Sequence, residues 1–204
     1  MSQLSDKQRK VLLHPIQADR VFQTPQGMSH LKAFDVLAHL NRIFGFEGWD
    51  TEVKSEALIF EDFVTWKPKD WPERQGWDVA YKATVRLVIK NSEGMIVTVK
   101  EDSAAGDALH QPSRADAHHL ALTSAVSTAL KRAANGLGDQ FGLSLYDKGL
   151  TAALVKEVVP YKETAPAEAT EEEQMPSECP ECSKEAAYVT NAGLICDYCG
   201  PVKA

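Results

Sequence analysis

Four cysteines are the residues of this chain best spaced for chemistry. Cys179, Cys182, Cys196 and Cys199 read C-x2-C, thirteen intervening residues, C-x2-C, and the 204-residue chain holds no other cysteine. Each C-x2-C places two thiolates on one turn, and two such turns supply the four ligands of a tetrahedral zinc site. The same spacing also fits a pair of redox dithiols. As a metal site, with Gly193 and Gly200 at the turns, residues 178–204 form a zinc ribbon. So short a segment has no core of its own, and the metal drives its folding. A cysteine-free body with one such cluster points to a reducing compartment, not to a disulfide framework. Spacing leaves the ribbon's target open between DNA, a protein partner and a neighbouring subunit.

The second group is cationic. Lys82, Arg86 and Lys90 alternate along 79–90, with Lys100 a candidate to join them from the next strand. Alternation of this kind makes either a solvated sheet face or a phosphate-contacting surface, where each neutralised phosphate releases counterions. Lys131 and Arg132 fall near the end of a helical stretch, where cations either offset the helix dipole or touch an anion. Trp66, Trp71 and Trp77 stack bases or cover apolar surface. Asp107, His110, Asp116, His118 and His119 contain the atoms of a metal-dependent nuclease site. His118 and His119 are adjacent, however, and so point to different helix faces. No G-x-x-x-x-G-K loop followed by Ser or Thr is present, so no nucleotide cofactor is expected. No serine sits in a nucleophile-elbow context. The chain is therefore not expected to be an enzyme.

These groups need elements to hold them. Over Ser113–Gly142, the apolar residues Leu122, Ala125, Val126, Ala129, Leu130, Ala133 and Leu137 have helical spacing. Ser113 and Asp116 read as a capping box, and Asn135-Gly136 with Gly138 as a stop. The predicted helix, 115–134, is about 30 Å long. Its mostly alanine stripe lets the backbone lie close to what it covers. An earlier helix is predicted from Leu31 to Phe44, on Leu31, Phe34, Leu37, Ala38, Asn41 and Phe44, with Leu40 at the shoulder. It ends at Gly45. Strands are predicted at 51–60, 78–90 and 95–100, by alternation of Val79, Tyr81, Ala83, Val85, Leu87 and Ile89 with polar residues in the clearest of them. Residues 61–77 read as a long hairpin connection and 101–112 as a small-residue loop. A short helix is expected ahead of Pro15, and another over 150–159. Helix, run of strands, long helix is the order of an α+β fold with an antiparallel sheet. The expected division is a lead-in (1–27), a core (28–159), a disordered acidic linker (160–177) and the ribbon (178–204).

Composition sets outer limits. The net charge is −7, but residues 151–204 carry −6 of it, leaving 1–150 at −1. A nearly neutral body can still present a basic groove. No apolar run approaches the roughly 18 residues of a membrane span and no signal-peptide core follows the polar start, so no membrane partner and a cytoplasmic location are expected.

Three stretches together resemble a known family: LNRIFGFEGW (40–49), YKATVRLVI (81–89) with the following strand into KEDSAAGDA (100–108), and ALTSAVSTALKRAANGLGDQFGLSLYDKGL (121–150). Their order and spacing are similar to the Rad-fifty-two family of single-strand annealing proteins, including its shorter phage and bacterial members, over about residues 28–150. The most specific pieces are F-G-x-x-G-W at 44–49 and the A-L-K-R-A helix. The resemblance implies a sheet crossed by a long helix, assembled into rings or open helical homo-oligomers. It implies ATP-independent binding of single-stranded DNA, backbone held in a positive groove and bases turned outward, for annealing in recombination and repair. A single-strand-binding protein or another recombination factor is an implied partner. By the same resemblance Lys131 and Arg132 are the inner DNA-site pair, and Lys82, Arg86 and Lys90 line the groove. The chain departs from the eukaryotic pattern at Asn135, where a third basic residue is expected, and at Asp35, where an arginine is. Only Arg114 stands near the lysines that precede the long helix in those relatives, so Lys32, Arg42 and Arg114 are the cations that would rebuild the site. The tryptophan-bearing segment and the ribbon lie outside the common pattern. The rival reading is an oligomeric adaptor that recruits partners through the ribbon and acidic linker.

Overall fold

The computed structural model describes residues 3–69 and 71–158 and, beyond them, the backbone of 177–178, 185–190, 193–196 and 200–201. The chain divides into two compact units, Met1–Val158 and Val159–Ala204. The expected disordered linker lies outside the described residues except for Ser177. Cys179, Cys182 and Cys199 also lie outside them, and Cys196 is described in backbone only.

The first unit is α+β. Helix α1 (Asp6–Leu12) starts at a capping box formed by Ser5 and Gln8. Its Val11 and Leu12 pack on the core. Two short strands, β1 (Phe22–Gln23) and β2 (Ser29–His30), make a small hairpin that turns at Gly27, whose φ is +81°. Helix α2 (Ala33–Phe44) ends at Gly45, as predicted, with φ +80°. Its buried face is Val36, Leu40, Ile43 and Phe44. The predicted stripe was rotated from this face, since Phe34 and Leu37 are exposed.

Strands β3 (Trp49–Trp66), β4 (Arg74–Lys90) and β5 (Ile96–Gln111) form an antiparallel sheet in the order β3-β4-β5. Two expectations are corrected here. Residues 61–77 are not a long connection: β3 runs to Trp66 and β4 resumes at Arg74, paired in register. Residues 101–112 are not a loop, because β5 continues to Gln111. Its small residues are small because a helix backbone lies on them. A Cβ at Gly106 would fall 2.7 Å from the Ser124 carbonyl carbon and 2.8 Å from the Ala121 oxygen.

That helix is α3 (Arg114–Asn135), started by the Ser113 hydroxyl accepting from the Asp116 N–H. Only this half of the predicted capping box forms. Ala117, Ala121, Ala125, Ala129 and Ala133 are buried in a strict i, i+4 row, so the helix lies close on β4 and β5. Leu122, Val126 and Leu130, predicted within the stripe, are only half-buried at its side. Leu87 and Ile89 of β4 join Leu40, Phe44, Ala133, Ala134 and Phe141 in the main core. After α3 come two 3-10 turns, Asp139–Phe141 and Ser144–Tyr146. The expected helix at 150–159 is absent over 150–158. This segment is irregular and is held by the buried Asp139 carboxylate, which accepts from the Val155 N–H at 3.0 Å. Among the described residues no helix is long and apolar enough to cross a membrane.

In the second unit, β6 (Ser177–Glu178), β7 (Glu185–Thr190), β8 (Gly193–Cys196) and β9 (Gly200–Pro201) form an antiparallel sheet in that order.

Candidate nucleic-acid interface

The i, i+4 row that docks α3 dictates where its cations go. Lys131 and Arg132 lie between Ala129 and Ala133 in sequence, so they flank the buried row and do not point into the sheet. Lys131 is half-buried, and burial lowers its pKa from the ordinary lysine value. A poorly hydrated ammonium gains more from meeting a phosphate than a fully solvated one. Arg132 is more exposed, and its Nε donates to Asp102 Oδ1 at 3.2 Å. Both line a groove of about 550 Å3, walled on the other sides by the β1–β2 hairpin and by the turn segment 141–149.

The turn segment brings in residues that sequence reasoning missed. Lys148 lines the same groove and holds φ +52°, a left-handed conformation uncommon outside glycine. Such strain clusters at functional sites. The available signal was D-K-G at 147–149, a turn just after the helix. Asn135 also lines the groove. With the amide turned so that its nitrogen faces acceptors, its carboxamide donates to the Lys131 and Phe141 carbonyl oxygens at 3.1 and 2.6 Å and accepts from the Tyr146 hydroxyl at 3.0 Å. The position where a third cation was expected instead ties the end of α3 to the turn that carries Lys148.

The sheet cations occupy a different place. Tyr81, Ala83, Val85, Leu87 and Ile89 share a face by alternation; all but Tyr81 are fully buried, and Ala133 packs against Leu87 and Ile89 from α3. Lys82, Arg86 and Lys90 are therefore on the opposite face, so within one chain they do not join Lys131 and Arg132. Arg86 is bound by Glu101 at 2.9 Å and Glu52 at 3.7 Å, and Lys90 by Asp50. Lys82 lies opposite Ala57 and Ala105. Lys100 is not with them. It pairs with Leu87 in register, and its side chain lies beside Gly136.

A model of the Rad52/22 family of double-strand break repair proteins matches residues 4–163. The chain belongs to that family. Among its relatives, the DNA repair and recombination protein RAD52 of Kluyveromyces lactis is 32% identical over 130 residues, 63% of this chain and 26% of that protein. The RAD52 of Saccharomyces cerevisiae is 33% identical over 130 residues, 63% of this chain and 24% of that protein. That of Eremothecium gossypii is 33% identical over 138 residues, 67% and 28% respectively. The chain thus spans about a quarter of the length of these relatives.

Within this Rad52/22 core the remaining candidates are structural or distant. Asp35 pairs with the buried Arg20 at 2.8 Å, and Arg20 also donates to the Gln140 carbonyl oxygen at 3.0 Å. Asp35 thus partners a buried arginine from the first 30 residues, where only a lead-in was predicted. Arg42 lies 2.9 Å from His39 Nδ1. Burial first, then Arg20 and Arg42, lower the His39 pKa to about 4. Lys32 stands 3.9 Å over the Phe22 ring, next to the groove residue Leu31. Arg114 is at the far end of α3, about 25 Å from Lys131 at 1.5 Å per residue. It bridges to Glu61 at 2.5 Å, holding that carboxyl below the usual range, and lies over Trp77 at 5.2 Å. Trp77 packs on Phe63, and Trp66 stacks on His110 at 4.3 Å. Trp71 is exposed with Arg74 over it. His118 Nδ1 meets the Tyr81 hydroxyl at 2.8 Å, whereas His110 is bound to Asp78. Among the described residues no three His, Cys, Asp or Glu side chains gather as metal ligands.

Proposed function

We propose that the chain binds single-stranded DNA and anneals complementary strands in homologous recombination and DNA repair, without nucleotide hydrolysis. The observation that carries this reading is the groove where Lys131, Arg132 and Lys148 converge on a rigid helix end and turn, in a member of a double-strand break repair family. Cations that hold phosphates leave Watson–Crick edges unread by the protein, so base pairing itself supplies specificity and driving force.

Self-assembly into a ring or open helix belongs to the same proposal. The three-stranded sheet leaves both β3 and β5 as edges. Leu58, Ile59 and Phe63 on one, and Ile96, Val99 and Leu109 on the other, are exposed. Long apolar edges are templates for pairing with another chain. A cytoplasmic location and a recombination-factor partner follow from the same reading.

The accessory element is a structural zinc held by Cys179, Cys182, Cys196 and Cys199. Support comes from the donor set, four thiolates in two C-x2-C pairs. In sequence the first C-x2-C follows β6 directly, and Cys196, the first cysteine of the second, closes β8. One zinc per chain by a chromogenic chelator after thiol oxidation is the expected stoichiometry; none would remove the ribbon.

The central experiment is annealing of two complementary fluorescent oligonucleotides without nucleotide. Lys131→Ala/Arg132→Ala should lose at least about tenfold in rate, since two charge-assisted contacts at about 1.5 kcal/mol each are removed. Annealing as fast as wild type would refute the site.

A further inference from the structure

We infer that the tip of the β3–β4 hairpin docks into a groove at the opposite end of the sheet on a second copy of the chain, joining copies end to end along the strand direction. This contact is separate from pairing at the sheet edges and from the cationic groove beside α3. Three observations carry it.

The first is the tip. β5 ends at Gln111, opposite Trp77, whereas β3 and β4 stay paired for three residues more, to Trp66 and Arg74. The hairpin therefore projects past the third strand. It is braced where it does so. The Trp66 ring lies against Gly76, where a Cβ would come within 3.1 Å of it, and stacks on His110 at 4.3 Å. Beyond this brace Trp71 is 59% exposed, and the Arg74 guanidinium lies 5.0 Å over its ring. Lys67 and Lys69 are exposed as well. None of the three cations has a carboxylate partner among the described residues. Set against Asp70 and Glu73, they leave 67–74 with one net positive charge. Trp and Arg are the side chains that most often anchor protein interfaces.

The second is the groove. At the other end of the sheet, the 44–48 turn, the 91–94 turn and the start of α1 enclose about 650 Å3. Phe46 stands in its wall at 86% exposure, the most exposed large apolar side chain among the described residues. The turn beneath it is drawn so tight that a Cβ at Gly48 would strike the Phe44 carbonyl. Glu47 and Glu93 line the groove, and neither has a cation partner among the described residues. Lys90, which also lines it, is already held by Asp50. An exposed ring beside two unpaired carboxylates complements an exposed indole among three unpaired cations.

The third is distance. Trp49, beside the groove, and Trp66, at the base of the tip, are the two ends of the 18-residue strand β3. At 3.3 Å per residue they stand about 55 Å apart. A tip therefore cannot reach the groove of its own chain, and the two surfaces meet only between copies. Such a contact is heterologous, with a tip at one end of each copy and a groove at the other, so it propagates from copy to copy. In a ring built by sheet-edge pairing, tips would share one rim and grooves the other, and rings would stack.

The test is sedimentation velocity of the full chain over a concentration series. In 50 mM NaCl the wild type should form a species of at least twice the mass of its basal assembly. In 500 mM NaCl that species should dissolve, because exposed charge pairs are screened. Lys67→Glu/Lys69→Glu/Arg74→Glu and Glu47→Lys/Glu93→Lys should each weaken end-to-end association by at least about tenfold, since like charges then face each other. The basal assembly should be unchanged in both. Mixing the two variants puts opposite charges at every junction again and should bring the larger species back, which a misfolded variant could not do. A wild type without the larger species, or a mixture that fails to restore it, overturns the contact. So does a tip variant that keeps the larger species and loses oligothymidylate binding instead, which would assign the tip to nucleic acid. None of these outcomes bears on the annealing assay, whose failure would in turn leave this contact standing.

Discussion

Asp102→Asn should strengthen single-stranded DNA binding, against the usual expectation that breaking an ion pair does harm. Asp102 and Arg132 are 34% and 45% exposed, with Oδ1 and Nε 3.2 Å apart. Asparagine keeps an oxygen that still accepts from the Arg132 Nε and from the Ser103 N–H, which Asp102 now binds at 2.7 Å, so the geometry survives. Loss of an exposed pair costs at most about 1 kcal/mol of stability. The carboxylate, however, acts as a fixed counterion. A phosphate on the far side of the guanidinium sits about 6 Å from it, a repulsion of about 0.7 kcal/mol in water. Removing that repulsion should tighten binding by about threefold. The variant should also steepen log K against log salt by about 0.7, the single-strand increment per neutralised phosphate. Fluorescence anisotropy with an oligothymidylate from 50 to 300 mM NaCl measures both. Weaker binding, or an unchanged slope, would show that Arg132 does not face the strand. The same reasoning applies to other cations of this chain of net charge −7. Arg86, Lys90, Arg114 and Arg132 each carry a carboxylate neighbour in the free protein.

Two further outcomes follow from packing and burial. Gly106→Ala drives a methyl into the α3 backbone at Ala121 and Ser124, so unfolding by urea should show a loss of about 3 kcal/mol, the upper end for overpacking; a neutral result would mean the helix is free to lift. His39 has its pKa lowered to about 4 in the folded chain, against about 6.5 unfolded. The unfolded chain therefore binds more protons between these values, and the stability present above pH 6.5 is lost as pH falls toward 4. His39→Gln should flatten the decline in urea midpoint across that window, and an equally steep decline in the variant would place its source elsewhere.

Much of the candidate site was legible in the sequence because it is written in local terms. Ser113 ahead of an alanine-rich helical repeat sets the start of α3, and the alternation of 79–89 sets β4. Lys131 and Arg132 could be placed at the helix's end before any contact was known. Asn135 was noticed as a departure, but its bonds to the 141–146 turn could not be read from the chain. Residues 101–112 misled for a physical reason. Small residues mark a loop in isolation and a close backbone approach when a helix lies on them, and only the partner distinguishes the two.

What the sequence determined by itself is the type and rough extent of α2, β4 and α3, the family, and the cations it carries. Those follow from dihedral preferences, caps and side-chain period, which act within a few residues. What the tertiary structure decided is which of those cations share a surface. The i, i+4 alanine row turned Lys131 and Arg132 to the flank of α3, and the sheet's pairing put Lys82, Arg86 and Lys90 on the other face. Two left-handed turns far apart in sequence closed the groove that Lys148 and Tyr146 line. Each of these depends on contacts across 20 to 120 residues of chain, where burial and steric fit choose among arrangements that local preference leaves equal.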